Sequence, residues 1–161
     1  MVARARTPHV SGVGPPTGWL LTSGGEPHTA SKVRTPRRWR GCAVIRVLIV
    51  DDHESVRRGL SALLAASGID VAGVCADGVE ALRAVAATQP DLVLMDLAMP
   101  VMNGVEATRA IRASRPEIRV LVLTAAQSGM VQQAMDAGAV GYVLKEASPA
   151  DLIEAIRLHA A

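Results

Sequence analysis

From residue 44 onward the chain alternates short, nearly continuous apolar runs with longer stretches in which apolar residues return every three or four positions. The runs lie at 47–50, 71–74, 92–95, 120–123 and 140–144 and are built mainly from Val, Leu, Ile and Met. An apolar run without polar alternation suits a strand buried on both faces, as strands of a parallel sheet are. Between the runs the spacing is helical. Val56, Leu60, Leu63 and Leu64 form one apolar stripe that stops at Gly68, and Val79, Leu82 and Val85 form another that stops before Pro90; both end on ordinary helix stop signals. Further stripes cover 105–111, 130–135 with Gly138 beyond, and Leu152, Ile153 and Ile156. The last is preceded by Ser148-Pro149-Ala150-Asp151, a capping arrangement with Pro at the first helical position.

The pattern therefore predicts five strand-helix units. Alternating units of this kind give an α/β fold with a parallel sheet between two helical layers. With right-handed crossovers, the expected architecture is a flavodoxin-like three-layer sandwich, a five-stranded parallel sheet in the order 2-1-3-4-5.

Residues 1–43 follow neither period. They hold five of the nine prolines and many Gly, Ser and Thr, so a disordered tail is expected there, with the domain spanning 44–161. Charge marks the same boundary: 1–43 carry a net +6 and 44–161 a net −4. A basic tail can neutralise nucleic-acid phosphates, but this charge does not fall on one predicted helix face. The abrupt onset of the domain at Val44, a residue that an alternative start codon can encode, favours a misassigned start over a functional arm.

Half of the residues are apolar, enough for an aliphatic core without disulfide or metal staples. No apolar stretch approaches the roughly 18 residues of a membrane span, and Gly18-Trp19-Leu20-Leu21 is too short for a signal-peptide core. Cys42 and Cys75 form no metal-ligand spacing. A soluble, cytoplasmic protein with reduced thiols and no membrane contact is expected.

In an open parallel sheet, ligands bind outside the carboxyl ends of the strands, where the strand order reverses. The first predicted strand ends in Asp51-Asp52, the third in Asp96, the fourth in Thr124 and the fifth in Lys145. Singly, each has a plain alternative: Asp52 as a helix cap, Thr124 as a turn residue, Lys145 as a surface charge. Asp96 fits none of these, since no helix starts beside it. Two carboxylates about 4 Å apart repel by on the order of 4 kcal/mol at an effective dielectric near 20, and a fold tolerates this where a cation binds. Oxygen ligands with open positions suit Mg2+. The set matches the needs of phosphoryl transfer: Asp96 as nucleophile, Asp52 and Asp96 as direct Mg2+ ligands, Asp51 through water, and Thr124 and Lys145 holding phosphoryl oxygens.

The segments Val-Leu-Ile-Val-Asp51-Asp52-His53-Glu54, Met95-Asp96-Leu97-Ala98-Met99-Pro100-Val101-Met102-Asn103-Gly104, Val-Leu-Thr124-Ala125-Ala126 and Gly141-Tyr142-Val143-Leu144-Lys145 resemble those of response-regulator receiver domains over residues 45–160. The resemblance implies a two-component phosphorelay protein that accepts a phosphoryl group from a sensor histidine kinase on Asp96, with Mg2+, and changes conformation. It also implies that the Ala98 carbonyl completes the Mg2+ shell, that Pro100 and Gly104 shape the loop after Asp96, and that Tyr142 is an aromatic switch coupled to Thr124. Such a domain promotes only its own phosphorylation and dephosphorylation. Family behaviour further implies a phosphorylation-dependent homodimer through the fourth helix, fifth strand and fifth helix. Ala98 and Ala126 would flank the path of the hydrolytic water. Asn103 stands where many members carry Asp.

The Asp-Asp-His start and the Lys145-Glu-Ala-Ser-Pro continuation are similar to the NarL/FixJ group, whose members carry a LuxR-type helix-turn-helix. No such motif follows here, so no direct DNA binding is expected; a transcription regulator whose output domain is missing or separately encoded is the alternative. Two enzyme classes fit less well. A haloacid-dehalogenase-type phosphatase needs a second Asp two residues after the nucleophile, where this chain has Ala98. A dinucleotide-binding domain needs a Gly-rich turn after the first strand, where it has Asp-Asp-His.

Overall fold

The computed structural model describes residues 38–39, 42–125 and 129–161. Strands β1 (Arg38–Trp39) and β2 (Cys42–Ala43) form an antiparallel ladder of two residues each. The rest of 1–43, and with it most of the expected disordered tail, lies outside the described residues.

From there strands and helices alternate: β3 (Arg46–Val50), α1 (Glu54–Ala66), β4 (Asp70–Cys75), α2 (Gly78–Thr88), β5 (Leu92–Asp96), α3 (Gly104–Ser114), β6 (Arg119–Thr124), α4 (Gly129–Asp136), β7 (Gly141–Leu144) and α5 (Pro149–Ala160). The five strands β3 to β7 pair in parallel in the order β4-β3-β5-β6-β7, the 2-1-3-4-5 order expected from the sequence. Among the described residues no helix is long and apolar enough to cross a membrane.

Period-two alternation divides the core into two layers. Val47 and Ile49 of β3, Leu92 and Leu94 of β5 and Leu121 and Leu123 of β6 pack with Leu64 of α1 and Leu152, Ile153 and Ile156 of α5. Their neighbours Leu48, Val50, Val93, Met95 and Val120 face the other way, against Ala81 and Val85 of α2 and Ala107 and Ile111 of α3. Val122 continues that second face towards Val131 and Ala134 of α4. Both faces of the central strands are thus buried, which explains their lack of polar alternation. The edge strands β4 and β7 are less covered, leaving Val74 and Tyr142 exposed.

Helix ends follow local chemistry. The Ser148 hydroxyl accepts the Asp151 N–H at 3.1 Å, with Pro149 in the first turn, as its sequence signal predicts. Asp77 caps α2 by accepting the Glu80 N–H. Asn103 and Glu106 cap α3 reciprocally, each side chain accepting the other's backbone N–H. An amide oxygen thus accepts this bond, and the start of α3 is capped from both sides.

Candidate functional site

The carboxyl ends of β3, β5, β6 and β7 bring Asp51, Asp96, Thr124 and Lys145 to one edge of the sheet, beside the point where strand order reverses. Asp51 is fully buried and held through its main chain. Its N–H donates to the Cys75 carbonyl at 3.1 Å, and its own carbonyl accepts from Arg57 Nη1 at 2.8 Å. Asp51 Oδ1 accepts the His53 N–H at 2.8 Å, while Oδ2 lies 2.6 Å from Lys145 Nζ. The same ammonium is 3.3 Å from Asp96 Oδ2, and Asp96 Oδ1 accepts the Leu97 N–H at 2.8 Å. Lys145 therefore bridges two buried carboxylates from different strands.

This bridge changes the electrostatics expected from the sequence. The repulsion between Asp51 and Asp96 is offset first by a cation of the chain itself. Burial pushes the Asp96 carboxyl above the usual carboxylate range; the Lys145 ammonium opposes the rise and the Asp51 charge adds to it. For Lys145, burial works against the charged form, but the bond to Asp51 and the charges of Asp96 and Asp51 outweigh it and hold the ammonium above its ordinary range.

Asp52 is the residue the bridge leaves out. The capping role considered for it is not adopted: the N-cap of α1 is His53, and no side chain caps that helix. Asp52 Oδ1 is buried without a hydrogen-bond partner; His53 Nδ1 lies 2.8 Å away but without hydrogen-bond alignment. A buried, orphaned carboxylate oxygen is costly unless something binds it. Three carboxylates against one ammonium leave a double negative charge when all are ionised, and one ligand atom from each of Asp51, Asp52, His53 and Asp96 lies within 4.8 Å of the others. Such a donor set fits a hard divalent cation.

The loop after β5 is shaped by close backbone contacts. The Gly104 N–H donates to the Leu97 carbonyl at 3.0 Å, and a Cβ at Gly104 would fall 2.1 Å from the carbonyl oxygen of Asp96. Only glycine lets α3 start against the backbone of Asp96, the shaping role the resemblance implied for it. The Met102 N–H donates to the Pro100 carbonyl at 2.8 Å, closing a three-residue turn around Val101, whose φ is 68°. A β-branched residue in that region is strained. Ala98 is exposed within this loop.

Thr124 is buried at the end of β6, and its carbonyl accepts the Lys145 N–H at 2.7 Å. In the parallel register Thr124 pairs with Leu144 and Val122 with Tyr142, so Tyr142 and Thr124 share one face of the sheet. Ala126, expected beside the water path, lies outside the described residues. Two contributors had no assigned role in the sequence. His53 carried a signal, an imidazole beside two carboxylates. Arg57 carried none, because its contact is to a carbonyl.

A doubly wound parallel sheet with an acidic cluster and a lysine at its switch point defines a class of α/β domain. The family model described as "response regulator receiver domain" matches residues 47–157, and the chain belongs to that family. It is 47% identical over 115 residues to the response regulator protein VraR of Staphylococcus aureus (strain Mu3 / ATCC 700698), covering 70% of this chain and 55% of that protein. It is 40% identical over 117 residues to the uncharacterized transcriptional regulatory protein YhcZ of Bacillus subtilis (strain 168), covering 71% and 55%. The chain thus spans little more than half the length of these relatives. Among solved structures, the signal receiver domain of the putative response regulator NarL from Mycobacterium tuberculosis superposes with a TM-score of 0.69 at 33% identity, covering 73% of this chain and 96% of that one. Receiver domains are signalling domains of two-component systems rather than conventional enzymes, they interact with histidine kinases and phosphotransfer partners, and they generally bind Mg2+ at an acidic pocket.

Proposed function

We propose that Asp96 is the phosphoacceptor of this receiver, loaded by a sensor histidine kinase with Mg2+ held by Asp51, Asp52, Asp96 and the Ala98 carbonyl. The observation that carries the reading is the buried Asp96 carboxylate bound to Lys145 beside the orphaned Asp52 oxygen. An Asp96 oxygen attacks phosphorus in line with the bond to the donor imidazole; the new acyl-phosphate bond forms as the phosphorus–nitrogen bond breaks and its electrons return to the ring. Bound Mg2+ supplies charge neutralisation of the phosphoryl oxygens. Lys145 already faces Asp96, so its ammonium needs only a short shift to meet a phosphoryl oxygen. The Leu97 N–H on Asp96 Oδ1 fixes the carboxylate plane beforehand, the preorganisation such transfers rely on.

The Thr124 hydroxyl takes a second phosphoryl oxygen. Its movement opens room on the face it shares with Tyr142, a residue 43% exposed whose ring turns inward in the switched state. That change remodels the face of α4, β7 and α5, through which the phosphorylated chain self-associates in the cytoplasm. The test is phosphorylation with acetyl phosphate in excess Mg2+, followed by intact mass. The wild type gains one phosphoryl group; Asp96→Asn gains none. Stoichiometric labelling of Asp96→Asn would overturn the assignment.

A further inference from the structure

We propose that Arg57 is a positioning residue for phosphoryl transfer: acting through the main chain of Asp51 and His53, it holds the segment that presents the acidic side chains to Asp96. The inference rests on reading Asp96 as the phosphoacceptor of a Mg2+ site. β3 pairs with β4 and β5 only as far as Val50. The Asp51 N–H still reaches the Cys75 carbonyl, but the Asp51 carbonyl accepts from Arg57 Nη1 at 2.8 Å, six residues further along the chain. The Arg57 N–H donates in turn to the His53 carbonyl at 3.1 Å. One residue thus ties both ends of Asp51-Asp52-His53, with Asp52 between them.

This tie stands where another is missing. No side chain caps α1, so the turn from β3 into the helix lacks the bond that commonly fixes a helix start. A guanidinium donating to a carbonyl is charge-assisted and stronger than a neutral bond. What it steadies bears on the chemistry: the His53 N–H donates to Asp51 Oδ1 at 2.8 Å, so the same segment sets where that carboxylate lies. The sign of the effect separates position from charge. A guanidinium beside the acidic side chains repels a cation, so if charge were its only influence, removing it would tighten Mg2+ binding; loss of the tie weakens it. A role confined to stability does neither. Arg57 is half-buried, lines the cleft between α1 and β4 with Ser61 and Val74, and belongs to none of the core clusters, so its replacement opens no cavity in the core.

The test uses the full chain with Arg57→Met, Arg57→Lys and, as a charge control, Arg58→Met, since Arg58 is 81% exposed on the same helix. Urea unfolding establishes that each is folded, calorimetry with MgCl2 gives affinity, and hydrogen exchange by NMR follows the His53 amide without metal. Arg57→Met is expected to weaken Mg2+ binding by about tenfold or more, the scale of a lost outer-shell partner, with Arg57→Lys within about threefold of wild type. The His53 amide exchanges faster in Arg57→Met relative to the amides of β5, and labelling by acetyl phosphate slows at low Mg2+ and recovers at saturation. Arg58→Met matches the wild type throughout. Unchanged or tighter Mg2+ binding in Arg57→Met, an Arg57→Lys no better than Arg57→Met, or an equal change in Arg58→Met overturns the inference. If Arg57→Met does not fold, Arg57→Gln, with a shorter side chain and a neutral donor, is read by the same outcomes. A wild type that neither binds Mg2+ nor accepts a phosphoryl group overturns the reading of the site, and His53 exchange in the metal-free chain then decides the role of Arg57.

Discussion

At the amino ends of the sheet's strands, Arg46 hydrogen-bonds both neighbouring carboxylates. Its N–H donates to Asp91 Oδ2 at 2.8 Å, its Nε lies 3.2 Å from Asp70 Oδ2, and its Nη1 donates to the Thr88 carbonyl at 2.7 Å. At the carboxyl ends, Lys145 faces both Asp51 and Asp96, and a buried oxygen of Asp52 goes without a hydrogen bond. The two ends lie on the same strands, so the difference is not one of fold. At the amino ends both carboxylates accept a hydrogen bond from Arg46, and the contacts serve stability. Negative charge at the carboxyl ends is left in surplus, a state that a folded domain keeps where a ligand completes the balance.

The largest expected effect breaks the carboxyl end. Gly104→Ala forces a methyl group against the Asp96 carbonyl and should cost about 3 kcal/mol or more, with loss of acetyl phosphate labelling; urea unfolding and intact mass measure both. Next, Mg2+ at about 100 times its dissociation constant should add about 2.7 kcal/mol to unfolding, and Asp52→Ala should remove most of that increment. Because burial raises the Asp96 carboxyl above the usual range, protons compete with the metal there. Apparent Mg2+ affinity should accordingly rise as pH increases through that raised value and then level off, which calorimetry at a series of pH values checks.

The amino end should respond differently. Arg46→Met loses an ion pair that is partly exposed, with little value of its own, together with a bond to a main-chain carbonyl, so about 1 to 2 kcal/mol should be lost. The Mg2+ increment should stay unchanged. A smaller increment in that variant would mean that the two ends are coupled. Smallest is Val101→Asn: Val101 is 84% exposed and sits at positive φ, so relief of strain with no packing lost should stabilise the domain by up to about 1 kcal/mol in urea unfolding.

Much of this was legible residue by residue. The continuous runs of β3, β5 and β6 announced strands buried on both sides, and Gly68 and Gly138, at φ of 74° and 102°, lie at helix ends where the stripes stopped. Strand edges were harder. Asp70 and Cys75 extend β4 beyond its apolar run, because pairing with β3 rather than hydropathy sets where that strand ends. The capping role of Asn103 was hidden too, although its bond is local and Asn is a favoured N-cap residue.

The sequence by itself determined the order of elements, the layers and the cluster of Asp51, Asp52, Asp96, Thr124 and Lys145 at one sheet edge, because periodicity and strand ends are properties of neighbouring residues. Only the tertiary structure decided how those groups pair. The hydrogen bond from Lys145 to Asp51 spans 94 residues of sequence, and whether the ammonium meets Asp51, Asp96 or solvent depends on the register of β7 against β6 and on rotamers set by burial. The same holds for Asp52 and His53. They are adjacent in the chain, and which of them caps α1 and which is left with an unanswered oxygen follows from how α1 leaves β3, a matter of backbone angles and packing that no local pattern encodes.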